Sequence, residues 1–511
     1  MCKRFKEWRS ASLAGCVSIC LSPPSTGRTN YPRTAAGKLT GDPGGGIGST
    51  YRQVRVRYRG NDICGGWRKN REDMENNKVL LAVEAAPGHP VSAVESRRRT
   101  LAARFFSALG PGLITGAADD DPSGIATYSA AGALLGTSQL WIALVTWPLM
   151  AAVQMTCARI AMATGKGLAA ALRKKLPRSV VVAAAFALFV ANTFNIAADL
   201  AGMADAAEML SGINSHYFVI LFGIGLTAGP ILFHYEPIAV GLKWLTLSLC
   251  AYILTAFIVR PDWLAVVHAT FVPSLPTTQE GWAMLVGVLG TTISPYLFFW
   301  QASQEVEEAK SAARKRAPTI AMRARVLTRR LDIGVGTFFS NVGMYFIILT
   351  TALTLHRNGI THIQTSEGAA EALRPLAGNL AALLFTLGII GVGFLAIPIM
   401  SASAAYAASE IFGWRVGINK SFRTARAFYA IIILSTLVGI AIDFANINAI
   451  KALFWSAVLN GLLAPFLLVA ILIVATDRKL MRNHPIPLIT IVLISIATCA
   501  MIGAALGMFL L

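Results

Sequence analysis

The chain has 511 residues, 55% of them hydrophobic and 14% charged. A soluble domain carries about 25% charged residues, so a soluble globular fold is excluded and a polytopic helical membrane protein is expected. The formal net charge of +19 fits the lysine and arginine bias of cytoplasmic loops better than a nucleic-acid-binding surface, so no nucleic acid is expected as a partner; the surrounding partner is membrane lipid.

Residues 1–100 are basic and rich in Gly, Ser and Pro, and hold about half of the net charge. They are expected to be a disordered tail, or an extension upstream of a start near Met74. The run from Ala11 to Leu21 is short and broken by serines for a signal peptide. Seven cysteines (Cys2, Cys16, Cys20, Cys64, Cys157, Cys250, Cys499) form no CxxC pair. Neither a disulfide framework nor a zinc site is implied.

From residue 101 the membrane domain, 101–511, reads as eleven apolar spans. They fall at 104–134, 138–163, 179–204, 216–235 and 237–259, then, after a Pro-containing polar loop over 260–281, at 282–304, 333–355, 378–404, 426–443, 448–475 and 486–510. The basic loops follow even-numbered spans: Arg173 to Arg178 after the second, Lys310 to Arg330 after the sixth, Arg415 to Arg426 after the eighth, Arg478 to Arg482 after the tenth. That alternation places the N-terminus in the cytoplasm and Leu511 outside; a plasma (inner) membrane of bacterial type is expected.

Two spans carry breaks. The first reads TGAADDDPSGIATYSAAG from Thr115 to Gly132. Asp119, Asp120 and Asp121 interrupt an otherwise apolar run, and a charge at mid-membrane costs about 2.5–3.5 kcal/mol on insertion scales. Pro122 lacks an N–H and Gly124 relaxes the backbone, so the helix is expected to break there. Carboxylates beside freed carbonyls suit a hard cation, with Asp121 at the centre. A surface loop between two short helices is the plainer alternative. The sixth span, GVLGTTISPYLFFWQASQEVEE, has Pro295 at its middle. Spans one to five (104–259) and six to ten (282–475) start on opposite sides, so the two breaks occupy matching places of an inverted 5+5 repeat, with 486–510 as an extra helix.

With these residues the chain resembles the Nramp family of divalent-metal transporters, which have a LeuT-like fold. The family's first-helix signature, Asp-Pro-Gly-Asn, stands here as Asp121-Pro122-Ser123-Gly124. Its sixth-helix signature, Ala-x-x-Met-Pro-His, stands as Thr291-Thr292-Ile293-Ser294-Pro295-Tyr296. The resemblance implies that Asp121 is the metal-ligating carboxylate and that the Thr291 carbonyl takes the place of the signature alanine carbonyl, while the signature asparagine ligand is lost at Gly124 and the methionine at Ser294; carbonyl oxygen near Gly124 and the Ser294 hydroxyl are read as completing the site. The divalent metal is substrate, and no cofactor is implied.

Loss of the signature methionine removes a soft ligand and leaves an all-oxygen site, which favours Mg²⁺ or Mn²⁺ over Fe²⁺. An Nramp-related magnesium-transporting branch lacks both the asparagine and the methionine ligand, and this sequence resembles it in that double loss. Asp199 matches the family's third-helix aspartate and either carries protons or forms a structural ion pair, with Arg426 as a candidate partner. Tyr296 and Gln301 replace sixth-helix histidines, so proton coupling is expected to be weak or absent.

Around this set, Asp119 and Asp120 form a vestibule or cap the broken helix, and Ser123 supports Asp121. Asn192 and Asn195 line the pathway or bond to neighbouring helices. Glu305, Glu307 and Glu308 read as a solvated run at the end of span six. The rival functions are a proton-coupled Mn²⁺/Fe²⁺ symporter, a sodium-coupled carrier of a small organic solute, and an intramembrane acid–base enzyme pairing Asp121 with Asp199. No nucleotide-binding motif stands in the membrane domain, which argues against ATP-driven transport.

Overall fold

The computed structural model describes residues 119–232, 249–314, 322–418, 420–445, 447–482 and 484–510. The expectations for the N-terminal hundred, for the half of span one before Asp119 and for the join of spans four and five lie outside those residues. Among the described residues the chain is all helix, with no strand. The main helices are α1 (Pro122–Leu135), α2 (Leu140–Thr164), α3 (Arg178–Ser211), α4 (Ser215–Leu232), α5 (Cys250–Ile258), α6 (Trp263–Phe271), α7 (Gln279–Thr292), α8 (Pro295–Arg314), α9 (Met322–Thr354), α10 (Ala381–Phe412), α11 (Arg426–Asp443), α12 (Ala449–Ala475) and α13 (Leu488–Leu510).

Eight helical stretches among the described residues are long and apolar enough to cross a bilayer, and the protein is an integral, multi-pass membrane protein. Each of the eleven expected spans coincides with helix among the described residues, the first, fourth and fifth only in part. The differences have local causes. The loop over 260–281 contains α6, because Asp262 caps it by accepting from the N–H groups of Leu264 (3.0 Å) and Ala265 (3.4 Å). Span seven begins eleven residues early, at Met322, because the charges that seemed to end it are paired. Arg329 bonds Glu305 and Asp332 at 2.8 and 2.7 Å and also holds Glu308, while Arg325 reaches Glu305 at 2.5 Å. Glu305 is therefore buried in an ion-pair network, not part of a solvated run. Glu307 accepts from the hydroxyl of Tyr406 on α10 and from the N–H of Ile418 at 3.1 Å.

Span six is two helices. Helix α7 ends at Thr292, Ile293 leaves helical geometry (φ −108°, ψ 60°), and α8 restarts at Pro295. Pro295 has no N–H to give the carbonyl of Thr291, four residues back. The Ser294 hydroxyl takes that role and donates to the Thr291 carbonyl. Helix α7 is seated on α12 at closest approach. A Cβ on Gly290 would stand 2.2 Å from the Ala457 carbonyl and 2.3 Å from the Gly461 nitrogen, so only glycine lets the two backbones touch.

Candidate metal site

Asp121 is the N-cap of α1. Its backbone is extended (φ −75°, ψ 171°), and Pro122 takes the first helical position, where a missing N–H costs nothing. One carboxylate oxygen, Oδ1, accepts from the Gly124 N–H at 2.6 Å and the Ser123 hydroxyl at 2.7 Å. The other, Oδ2, faces α3 and accepts from Asn195 Nδ2 at 3.1 Å. The cap thus fixes one oxygen and turns the second toward the interior. Gly124 meets Asp121 through its N–H. It sits in the first turn of α1, where a carbonyl normally accepts from the following turn.

Asp199, on α3, joins the same group. It accepts from the Ser123 N–H at 3.1 Å and from Asn195 Nδ2 at 3.3 Å. The suggested pairing with Arg426 does not occur, since Arg426 is exposed while Asp199 is buried. Asn192, one turn before Asn195, donates to the Met400 carbonyl of α10 at 2.9 Å. Asp119 and Asp120 turn the other way, to α9, where the Ser340 hydroxyl lies 2.8 Å from Asp119 and 3.1 Å from Asp120. The three consecutive carboxylates therefore divide between two neighbouring helices.

All four aspartates are buried, at 0% (Asp119), 4% (Asp120), 2% (Asp121) and 0% (Asp199) exposure. No ion pair reaches any of them among the described residues. A buried carboxylate held only by neutral donors keeps most of its unfavourable desolvation. Also among the described residues, no group of three or more His, Cys, Asp and Glu side chains forms a closed metal cage.

The break between α7 and α8 adjoins this group. The Tyr128 hydroxyl of α1 lies 3.5 Å from the Thr292 hydroxyl of α7. Tyr296, at the start of α8, is buried within electrostatic reach of Asp121, Asp119 and Asp199. Its carbonyl accepts from Ser403 of α10 at 2.7 Å. Thr291 and Ser294 bond to each other across the break. Gln301 is buried farther along α8.

Three contributors were not singled out from the sequence. They are Met400, whose sulfur lies 3.0 Å from Asn195 Nδ2; Asn460 of α12, whose Nδ2 donates to Asn195 Oδ1 at 3.2 Å; and Ser340. Each lies more than a hundred residues from its partner, so no local pattern marks it. The Met400 thioether also means that the surroundings of Asp121 are not oxygen alone.

The family described as Nramp, natural resistance-associated macrophage protein-like, matches residues 112–511. This chain belongs to the Nramp family. It is 27% identical over 429 residues to the divalent metal cation transporter MntH of Caldanaerobacter subterraneus, covering 80% of this chain and 94% of the relative. It is 30% identical to MntH of Yersinia pestis over 321 residues, covering 59% and 72%. Its fold is similar to the crystal structure of the Eremococcus coleocola manganese transporter, with TM-score 0.63 and 16% identity over 83% of this chain and 88% of that one. The break at Asp121 and the break at Pro295 both fall inside the stretch this Nramp chain shares with its family.

Proposed function

We propose that this Nramp protein carries divalent metal cations across the membrane by alternating access about its two helix breaks, with Asp121 as the charged ligand. The observation that carries the reading is the buried quartet of aspartates with no fixed cation beside it among the described residues. A site that is electrically incomplete is suited to a charge that arrives and leaves. The named relatives are divalent-metal transporters, which favours transport over acid–base catalysis between Asp121 and Asp199, and over sodium-coupled uptake of an organic solute.

In this reading Oδ2 of Asp121 grips the ion, and the Ser294 hydroxyl releases the Thr291 carbonyl so that both oxygens can turn to it. Gly124 serves through its N–H, which steadies the carboxylate. Mn²⁺ and Mg²⁺ are the proposed substrates. Tyr296 and Gln301 offer no imidazole, so proton coupling is weak. The N-terminus lies in the cytoplasm, on the side of the basic loops, and the membrane is a plasma membrane of bacterial type.

Proteoliposomes test this directly. Uptake of Mn²⁺ or Mg²⁺ should be saturable and should vanish in Asp121→Ala. An interior pH dye should report little acidification during uptake. Uptake that survives Asp121→Ala would sink the site, and strong metal-driven acidification would sink the weak coupling.

A further inference from the structure

The nitrogen Nδ2 of Asn195 is surrounded by three acceptors from three helices. Asp121 Oδ2 of α1 lies at 3.1 Å, Asp199 Oδ2 of the same α3 at 3.3 Å, and Met400 Sδ of α10 at 3.0 Å. An amide has two hydrogens, so it cannot satisfy three acceptors at once. Two carboxylate oxygens and a thioether converging on one point make a better nest for a cation than for an amide. Two further atoms point the same way. Asn460 Oδ1 and Asn192 Oδ1 have no hydrogen-bond partner among the described residues, and their residues are 1% and 0% exposed.

We infer that Met400 is a specificity-determining ligand for the transported ion, and that Asn195 yields to the ion by turning its amide over. The proposal rests on the transport reading given above. The two ends of an amide differ little in size, so the turn needs no new space. It brings Asn195 Oδ1 toward the ion and sends Nδ2 toward Asn460. Asn460 turns in response and offers the oxygen that had no partner. The ion then meets Asp121, the Asn195 carbonyl oxygen and the Met400 sulfur. Asn192 holds Met400 in register through its carbonyl. The thioether that Ser294 cannot supply from the sixth span is thus supplied from α10, and it tilts the site toward softer divalent ions than Mg²⁺.

Purified full-length protein is titrated with Cd²⁺ and with Mg²⁺, and X-ray absorption at the cadmium edge is recorded on the Cd²⁺-loaded protein. The wild type should show a sulfur neighbour that disappears in both Met400→Leu and Asp121→Asn. Met400→Leu, a swap of similar volume, should weaken Cd²⁺ by about tenfold and leave Mg²⁺ within about twofold. Three results overturn the proposal: an oxygen-and-nitrogen spectrum in the wild type, a sulfur signal that persists in both variants and so belongs to cysteine, or an unchanged ratio of Cd²⁺ to Mg²⁺ affinity. If Met400→Leu does not fold, the wild-type spectrum and Asp121→Asn decide. Asp121-dependent Mn²⁺ uptake without a sulfur neighbour removes only this inference. A wild type that neither binds nor carries any divalent ion removes the transport reading with it.

Discussion

Two groups of buried acids sit in this protein, and they are treated in opposite ways. Glu305 and Asp332 face Arg329, which bridges them and also holds Glu308, while Arg325 adds a second guanidinium to Glu305. Asp119, Asp120, Asp121 and Asp199 are also buried, yet their described partners are hydroxyls, amides and backbone N–H groups. The first group has its countercharge built in and is a joint between α8 and α9. The second lacks one, and its negative charge is available to a visitor. The difference separates a structural network from a functional one where burial alone does not.

The comparison can be broken by changing either side. Asp121→Asn keeps the shape of the cap and removes the charge. Metal uptake should fall by at least about a hundredfold, with folding intact by gel filtration and thermal melting. Arg329→Met should do the reverse. It strands Glu305 and Asp332 without a countercharge, and breaking a buried pair from one side costs about 3–5 kcal/mol. The melting temperature in detergent and the yield of folded protein should drop, while the surviving fraction still binds metal. Gly290→Val tests the seat of α7 on α12. Its side chain has nowhere to go against the Ala457 carbonyl, and overpacking of this kind costs about 1–3 kcal/mol. Thermal melting reads the loss, and uptake should fall with it because the break at Pro295 shifts.

Ser340→Ala sharpens the contrast within the acid group itself. It removes the donor shared by Asp119 and Asp120, at about 1–3 kcal/mol, and should lower stability more than it changes metal preference. The smallest effect belongs to a surface pair outside the spans, the exposed Lys175 with the half-buried Asp477 at 2.5 Å. The hydrogen bond from the Lys175 ammonium holds the Asp477 carboxyl below its ordinary value. Any stability it adds is present above the ordinary carboxylate range and fades as pH falls through the lowered value, below about pH 4. Lys175→Gln should leave thermal melting near neutral pH unchanged.

The sequence makes the two breaks legible because charge and proline inside an apolar run are local signals. Asp121, Pro122 and Pro295 stand where the helices start or restart. Asn192, Asn195 and Asp199 are spaced to share one face of α3, and the structure brings that face to Asp121 and α10. The parts that were missed are long-range. Met400 lies in an apolar stretch of α10 and reads as ordinary core. Asn460 is one polar residue in α12. The burial of Glu305 was missed because its partners lie beyond a basic loop, although a signal was available. Arg325, Arg329 and Asp332 recur at helical spacing, so they line one face and mark a buried polar seam rather than a loop.

Two hydrogen bonds fasten α8 to α10, one from Ser403 to the Tyr296 carbonyl and one from Tyr406 to Glu307. Their anchors on α8, Tyr296 and Glu307, are about three turns apart, while those on α10, Ser403 and Tyr406, share a single turn, so the pair ties the length of α8 to one place on α10. A rocking step that swings α8 away from α7 must therefore tow α10 as well, and the Met400 methyl rides with it. Labelled with ¹³C, that methyl would serve as a gauge of which mouth of the conduit is open.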